Sequence, residues 1–113
     1  MYNERKRITN WLWRKRNPDK LKDQFLKYKF GITLEDYRRV FDLQKGRCLG
    51  CNRHQIEFKR KFVVDHDHKT GKVRALLCGS CNTALGSVHD NIEVLRRLEF
   101  YLLMSSFVNS LPE

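Results

Sequence analysis

The chain has 113 residues, a length typical of one domain, with 41% hydrophobic and 32% charged residues and a formal net charge of +10. No stretch approaches the roughly 20 apolar residues that a membrane-spanning helix needs, and no apolar core follows the basic N-terminus as in a signal peptide. These features argue against membrane and secreted proteins, and we expect a protein of a reducing cytoplasm.

The positive charge is concentrated in the N-terminal part of the chain. Residues 1–47 contain 14 Lys and Arg against 6 Asp and Glu, whereas residues 48–113 contain 9 against 7. Such an excess indicates a polyanionic partner, most simply nucleic acid, and a merely solvated surface is the alternative. We expect sequence-independent backbone contacts from the densest basic cluster, which comprises Arg5, Lys6, Arg7, Arg14, Lys15 and Arg16.

Two helices are predicted at the start of the chain. The first covers residues 4–16 and should stop at Asn17-Pro18, because proline disfavours helix in the residue before it. One of Trp11 and Trp13, which would face different ways, is expected in the core. The second helix covers residues 18–29, with Asn17 as its cap, and Gly31 should end it.

A third helix should run from Leu34 to Gln44. Thr33 can cap it, and Asp36 stands three residues later at the spacing of a capping box. Further along, two short strands are predicted over residues 61–65 and 72–76, because these segments are rich in β-branched and aromatic residues.

The last third of the chain should be helical. A helix is predicted from Gly79 to Leu85, ended by Gly86, and a longer one over about residues 92–107, capped by Asp90 or Asn91. The apolar residues of this last helix are expected to face inward, and its leucines could pack on the chain's own core or across a two-fold axis; these residues are Ile92, Leu95, Leu98, Leu102 and Leu103.

All four cysteines of the chain lie in two CxxC pairs, Cys48/Cys51 and Cys78/Cys81. Each pair lets two thiolates bind one ion from a single tight turn, and two such turns complete the tetrahedral shell of a structural zinc. Two disulfides, a redox CxxC or free core thiols are the alternatives. Full coordination by sulfur leaves no open position, so this zinc should not be catalytic.

An acidic residue and a histidine follow the first predicted strand, and an asparagine follows the last cysteine. The oxygens of Asp65 and Asn82 suit Mg²⁺, which prefers oxygen ligands, and the imidazole of His66 can take a proton from water near neutral pH. Together they form a minimal phosphodiesterase site. Singly, Asp65 could be a turn residue, Asn82 a helix cap, and His66 or His68 a further zinc ligand.

Arg74 leaves the second predicted strand beside this site. It could hold a phosphate or stabilise charge in the transition state, and a surface arginine is the alternative. Asp67 and His68 are expected to lock the loop between the strands by hydrogen bonds.

The stretch VDHDHKTGKVRALLCGSCN, residues 64–82, closely resembles the phage recombination endonuclease VII family of His-Me finger (ββα-metal, HNH-like) nucleases. The lead-in segments 28–33 and 44–48 are also similar to that family, and the resemblance covers about residues 25–103. Ala75 stands where the family often has glycine.

The resemblance implies a role for each site residue. Asp65 and Asn82 would be ligands of a catalytic Mg²⁺ or Mn²⁺, and His66 would be the general base. The four cysteines would hold the structural zinc. Family members cut DNA to leave 5′-phosphate and 3′-hydroxyl ends, and a phage-encoded protein would act in the cytoplasm of a bacterial host.

The resemblance also leaves alternatives for the substrate. Phage junction resolvases have a long helical C-terminal half that builds a dimer, whereas this chain has about 27 residues after Gly86 and its extra helices at the N-terminus. A nicking or double-strand endonuclease therefore fits as well as a junction resolvase. A non-catalytic, zinc-stapled DNA-binding module is the alternative from another class, a partner-binding zinc domain is a weaker one, and a homodimer is possible.

The fold predicted from these observations is α+β and mostly helical. A zinc-stapled ββα-metal core would be flanked by N-terminal helices and a C-terminal helix. Residues 1–46 would form a basic helical region for DNA contact, and residues 47–113 the nuclease core with the last helix. The two regions would form one folding unit.

Overall fold

A computed structural model describes residues 2–112 of the chain. The described elements are mostly helical and include a two-stranded antiparallel sheet, which confirms the predicted fold class. In chain order they are α1 (Tyr2–Arg16), α2 (Pro18–Phe30), α3 (Leu34–Leu43), β1 (Val63–His66), β2 (Val73–Leu77), α4 (Gly79–Ser87) and α5 (Ile92–Met104). Short 3-10 turns cover Gln55–Glu57 and Val108–Ser110.

The boundary between α2 and α3 follows the sequence signals closely. Gly31 ends α2 in the left-handed region, with φ 69°, where a glycine has no steric cost. The Thr33 hydroxyl accepts from the Asp36 backbone N–H, and the Asp36 carboxylate accepts from that of Thr33, completing the capping box. Asn17 precedes α2 but makes no side-chain cap; its amide donates back to the Trp13 carbonyl instead.

The two strands pair antiparallel with a bulge next to the candidate site. Asp65 pairs with Ala75 and His66 with Val73, so Arg74 is the extra residue of β2. In a regular ladder Arg74 would oppose His66 and its side chain would leave the sheet on the face away from Asp65. The bulge re-aims Arg74, and its guanidinium reaches Asp65.

Two helix ends differ from the sequence prediction. Gly86 does not end α4, which continues to Ser87 and closes at Val88. Asn91 caps α5 as predicted, by accepting from the Val94 N–H, but the helix ends at Met104 rather than near residue 107. The residues after Met104 instead form a bend and a 3-10 turn.

The core lies where α2 and α3 meet the sheet. It is built from buried apolar side chains of both regions and from two of the cysteines: Leu26, Leu34, Tyr37, Cys48, Phe62, Val64, Leu76, Leu77 and Cys78. The side-chain amide of Gln44 pairs with the backbone of β2 as a neighbouring strand would. It accepts from the Leu76 N–H and donates to the Leu76 carbonyl, both at 2.9 Å. These contacts hold β2 against the end of α3.

The first and last helices lie outside this core. Trp11 and Trp13 are 55% and 41% exposed, so the expectation that one of them is buried is wrong. The inward-facing prediction for α5 is also wrong, since Ile92, Leu95, Leu98, Leu102 and Leu103 are all 36% exposed or more. The apolar face of α5 was recognised correctly, but the described part of the chain leaves it exposed.

The described chain is elongated, with extents of 75 × 33 × 31 Å and a radius of gyration of 20.4 Å. A compact domain of this length would have a radius of gyration of about 13 Å. Within the described residues, no helix combines the length and apolar character that crossing a bilayer would require.

Candidate active site and cysteine cluster

The two CxxC pairs come together, and their four sulfur atoms lie within 4.8 Å of one another. Four sulfurs around one zinc would be about 3.8 Å apart, given Zn–S bonds of about 2.3 Å and tetrahedral geometry. The sulfurs of Cys51 and Cys78 are 3.9 Å apart, a separation close to that value and far beyond a disulfide bond of about 2.05 Å. The donor set therefore fits a structural metal ion of the zinc type.

Backbone amides already point at the cluster. The N–H groups of Gly50, Cys51 and Cys78 donate to the Cys48 sulfur at 3.3, 3.5 and 3.3 Å. Burial opposes ionisation of this thiol, yet the three donors lower its pKa well below the usual value. The chain thus stabilises a thiolate, the form that binds metal, at Cys48.

Gly50 packs closely against the second pair. A Cβ atom at this position would lie 3.0 Å from the sulfur of Cys81 and 3.2 Å from its Cβ. A larger residue would therefore require Cys81 to shift by a few tenths of an ångström. The close approach of Gly50 to Cys81 was not predicted from the sequence.

The predicted catalytic residues lie at the end of β1 and in the first turns of α4. Asp65 and His66 end β1, and Asn82 lies in the first turns of α4, one residue after Cys81. His66 and Asn82 line the same groove, whose volume is about 690 Å³. Asp65 is buried, with its side chain 7% exposed, and is not among the described residues that line this groove.

The carboxylate of Asp65 is held by Arg74. The guanidinium donates to both carboxylate oxygens, through Nε at 2.7 Å and through Nη2 at 3.0 Å. This hydrogen bond is the main cause of a raised pKa for Arg74, which stays positively charged at any ordinary pH. The structure therefore brings Arg74 to the site, as expected, but against an acidic side chain.

Asp90 is a member of this cluster that the sequence analysis treated only as a possible helix cap. Its Oδ2 accepts from Arg74 at 3.2 Å and lies 3.4 Å from Nδ1 of His68. Its other oxygen, Oδ1, is buried without a hydrogen-bond partner among the described residues. The backbone of Asp90 has φ 55°, a left-handed conformation that non-glycine residues seldom adopt.

The loop between the strands is held by Asp67, as predicted. Its carboxylate accepts from the N–H groups of Lys69 and Thr70 at 2.7 and 3.0 Å, which is the main reason that its pKa is lowered. The His68 ring contacts the His66 ring at 4.9 Å between centres, and Phe30 of α2 contacts His66 at 5.6 Å. The imidazole of His66 is thus positioned from two sides.

The basic cluster of α1 does not take part in this groove. Its exposed side chains lie on the first helix, and none of them is among the described residues that line the groove. The lysines that do line it are Lys22, Lys29 and Lys61, which the sequence analysis did not select. They are dispersed along the chain, so no local charge run marked them.

Comparison with known proteins gives consistent matches. The sequence profile of the family described as recombination endonuclease VII matches residues 23–104. The Gene 59 protein of Mycobacterium phage D29 is 50% identical over 74 residues, which cover 65% of this chain and 44% of that protein. The Gene 59 protein of Mycobacterium phage L5 is 44% identical over 85 residues, 74% of this chain and 51% of that protein. The chain spans about half the length of these curated relatives.

Proposed function

Because the chain belongs to the recombination endonuclease VII family, we propose that it is a metal-dependent DNA endonuclease that hydrolyses phosphodiester bonds. The observation that carries the proposal is the arrangement of Asp65, His66 and Asn82 on a ββα unit beside a four-cysteine cluster. His66 and Asn82 face one groove, which gives a substrate access to both. The products would be 5′-phosphate and 3′-hydroxyl ends, from a nick or a double-strand cut.

In the proposed mechanism His66 is the general base. Its ring, held between Phe30 and His68, takes a proton from a water molecule that attacks phosphorus in line with the departing 3′ oxygen. Oxygen donors from Asp65 and Asn82 suit Mg²⁺ or Mn²⁺, and they would hold one such ion. When bound, the ion would supply positive charge for the phosphate and the leaving oxygen.

The cysteines, Arg74 and the basic cluster of α1 would support the reaction without acting as its general base. Zinc on Cys48, Cys51, Cys78 and Cys81 would fix α4, and so Asn82, relative to β1 without taking part in the reaction. Arg74 would exchange its bond with Asp65 for the substrate phosphate or Asp90 once a divalent ion occupies the carboxylate. The basic α1 cluster would contact the DNA backbone.

One observation favours a second candidate, a non-catalytic zinc-stapled DNA-binding module. Arg74 already neutralises Asp65, the residue that would have to bind the divalent ion. Such a module would bind DNA without Mg²⁺ and would not cleave it. A junction-resolving nuclease and a homodimer, which would let two sites cut two strands, remain alternatives within the main proposal.

The proposal is tested by cleavage of supercoiled plasmid with purified, zinc-loaded protein in Mg²⁺, in Mn²⁺ and without a divalent ion. We expect nicked or linear product only with the divalent ion. Replacing His66 with Ala should lower the cleavage rate about 10²- to 10⁴-fold, because the general base is lost. His89→Ala is the matched control, since His89 does not line the groove that contains His66 and Asn82.

Equal cleavage by His66→Ala and wild type would refute the catalytic assignment. Plasmid that is retarded on a gel but left intact would favour the binding module or a nuclease that needs a branched substrate. A synthetic four-way junction separates these two outcomes, since only the nuclease would cut it.

A further inference from the structure

The groove that contains His66 and Asn82 has a second wall, and α2 forms it. Lys22, Phe25 and Lys29 from this helix line one side, and Lys61, which precedes β1, lines the groove near Lys22. A volume of about 690 Å³ lies within the range of ligand pockets, roughly 300–1,000 Å³, and far exceeds what a single ion needs. An extended ligand that reaches His66 would therefore contact α2.

The charge of this groove is one-sided. Three lysines and two histidines are among its described lining residues, and none of those residues carries a carboxylate. The nearby acids lie outside this lining: Asp19 pairs with Arg38 at 3.2 Å and only partly offsets the repulsion on Lys22, and Asp23 pairs with Lys27 at 2.9 Å. The positive charge of the groove is therefore not neutralised by any carboxylate among its described lining residues.

Lys22 and Lys61 are held close enough to repel each other. Burial, then repulsion by Lys61 and by Arg38, lowers the pKa of Lys22. The Lys22 ammonium lies 4.6 Å from the centre of the Tyr37 ring, a cation–π contact that fixes its position. Tyr37 is itself buried and its hydroxyl donates to the Phe62 carbonyl at 2.6 Å, so the support is rigid.

Lys29 continues the positive surface toward the candidate active site. Its ammonium lies 5.6 Å from the ring centres of both Phe25 and Phe30. Phe30 in turn contacts His66. The lysines thus follow the wall of the groove that leads to the histidine, with aromatic rings between them.

We propose that Lys22 and Lys61 form a phosphate-binding subsite for the nucleic-acid backbone that flanks the scissile bond. Lys29 would contact the backbone nearer to His66. The inference rests on the proposed nuclease function and extends it, because it adds substrate contacts from α2 and from the segment before β1 to those of the basic cluster of α1.

Charge complementarity identifies the occupant. Like charges fixed together, and offset only in part by Asp19, are destabilising in the free protein and are relieved when an anion binds. A polyanion with regularly spaced phosphates satisfies several lysines at once, and releases counter-ions from its own backbone. The exposed apolar surface of Phe25, 53% accessible, is compatible with the sugar or base faces of the same strand.

The test compares two double variants that remove equal charge from the chain. Lys22→Gln/Lys61→Gln removes the proposed subsite. Lys20→Gln/Lys45→Gln is the matched control, because both lysines are exposed and neither lines the groove. Each pair is made in wild type and in His66→Ala, and binding of a fluorescent DNA duplex is measured by anisotropy in the His66→Ala background from 50 to 200 mM KCl.

We expect the subsite variant to reduce the magnitude of the negative slope of log K against log salt by about two, since each lost phosphate contact accounts for about 0.9. The control should change that slope by much less. Thermal stability of the subsite variant should be equal to wild type or higher, because removal of Lys22 and Lys61 relieves repulsion. Equal slopes for the subsite variant and its control would overturn the proposal.

Cleavage separates this proposal from the proposed function. If wild type cuts plasmid and the subsite variant binds and cuts equally well, the subsite fails and the nuclease stands. If the slopes change as expected but wild type cuts no substrate, the nuclease assignment fails and the phosphate subsite stands.

Discussion

Asp65 holds its carboxylate against the Arg74 guanidinium, although the proposed mechanism needs the same oxygens for a divalent ion. The side chain is almost fully buried, so its ionised form is stable only with a cation beside it. Arg74 can leave only if another cation replaces it and another acceptor receives it. The second acceptor is present, since Oδ2 of Asp90 already accepts from the same guanidinium.

Replacement of Arg74 with Met should therefore raise the affinity of the DNA-free protein for Mn²⁺. Without Mn²⁺ the variant should be less stable than wild type by about 3–5 kcal/mol, because a buried carboxylate loses its partner, and Mn²⁺ should restore much of that loss. Affinity is measured by Mn²⁺ electron paramagnetic resonance and stability by thermal unfolding with and without the ion.

Lys72→Met is the control for this experiment. Lys72 is exposed in the loop that leads into β2, so its loss changes the local charge without removing a partner of Asp65. A weaker Mn²⁺ affinity in Arg74→Met than in Lys72→Met would contradict competition for the carboxylate. The comparison thus isolates the contact from the general effect of one positive charge.

At the scale of elements, the cysteine cluster joins three separate pieces of the chain. The segment that follows α3 supplies Cys48 and Cys51, the end of β2 leads into Cys78, and α4 carries Cys81. Structural zinc contributes about 10–16 kcal/mol of binding free energy in small modules, comparable to the stability of a whole domain. The orientation of Asn82 depends on this connection.

Loss of one cysteine ligand should therefore unfold the centre of the molecule. We expect Cys51→Ser to purify without its zinc and to lose the cooperative thermal transition, whereas Ser80→Ala, inside the second CxxC turn, should keep both. Zinc is measured by mass spectrometry of the native protein, and unfolding by circular dichroism. A zinc-free Cys51→Ser protein that melts like wild type would show that the ion is dispensable.

Much of this organisation could be predicted because it depends on local chemistry. The spacing of the cysteines, the capping box of Thr33 and the glycine at Gly31 each act within a few residues, and the structure confirms them. The bulge at Arg74 could not be predicted, because it depends on the pairing of two strands. The roles of Asp65, His66 and Asn82 stay predictions.

The predicted burial of side chains from α1 and α5 was wrong for a different reason. An apolar stripe identifies the side of a helix that avoids water, but not the surface that covers it. For Leu98 and Leu102 the described chain supplies no such cover. The pattern was therefore interpreted correctly as helix and wrongly as core.

At the scale of the whole molecule, the core crosses the predicted boundary near residue 46. Leu26 and Tyr37 from the N-terminal side pack with Phe62 and Leu76 from the other side. This shared core favours one folding unit over two, and the division at residue 46 stays a prediction. Both α1 and α5 stand apart from it, because none of their described side chains is buried.

Removal of residues 1–16 should therefore leave the stability and zinc content of the remaining chain nearly unchanged. Because the truncation also removes the basic cluster of α1, DNA affinity should fall. The negative slope of log K against log salt should become smaller in magnitude. Thermal unfolding, zinc analysis and anisotropy measure these three quantities. A truncated protein that fails to fold would mean that α1 contributes to the core after all.

The projection of the end helices has a hydrodynamic consequence. A radius of gyration of 20.4 Å is what a compact chain of about 350 residues would have, roughly three times the length of this one. For a single copy, the radius of gyration from small-angle X-ray scattering and the elution volume from gel filtration should therefore resemble those of a small oligomer. Its mass in solution has to come from light scattering or sedimentation equilibrium, which do not depend on shape.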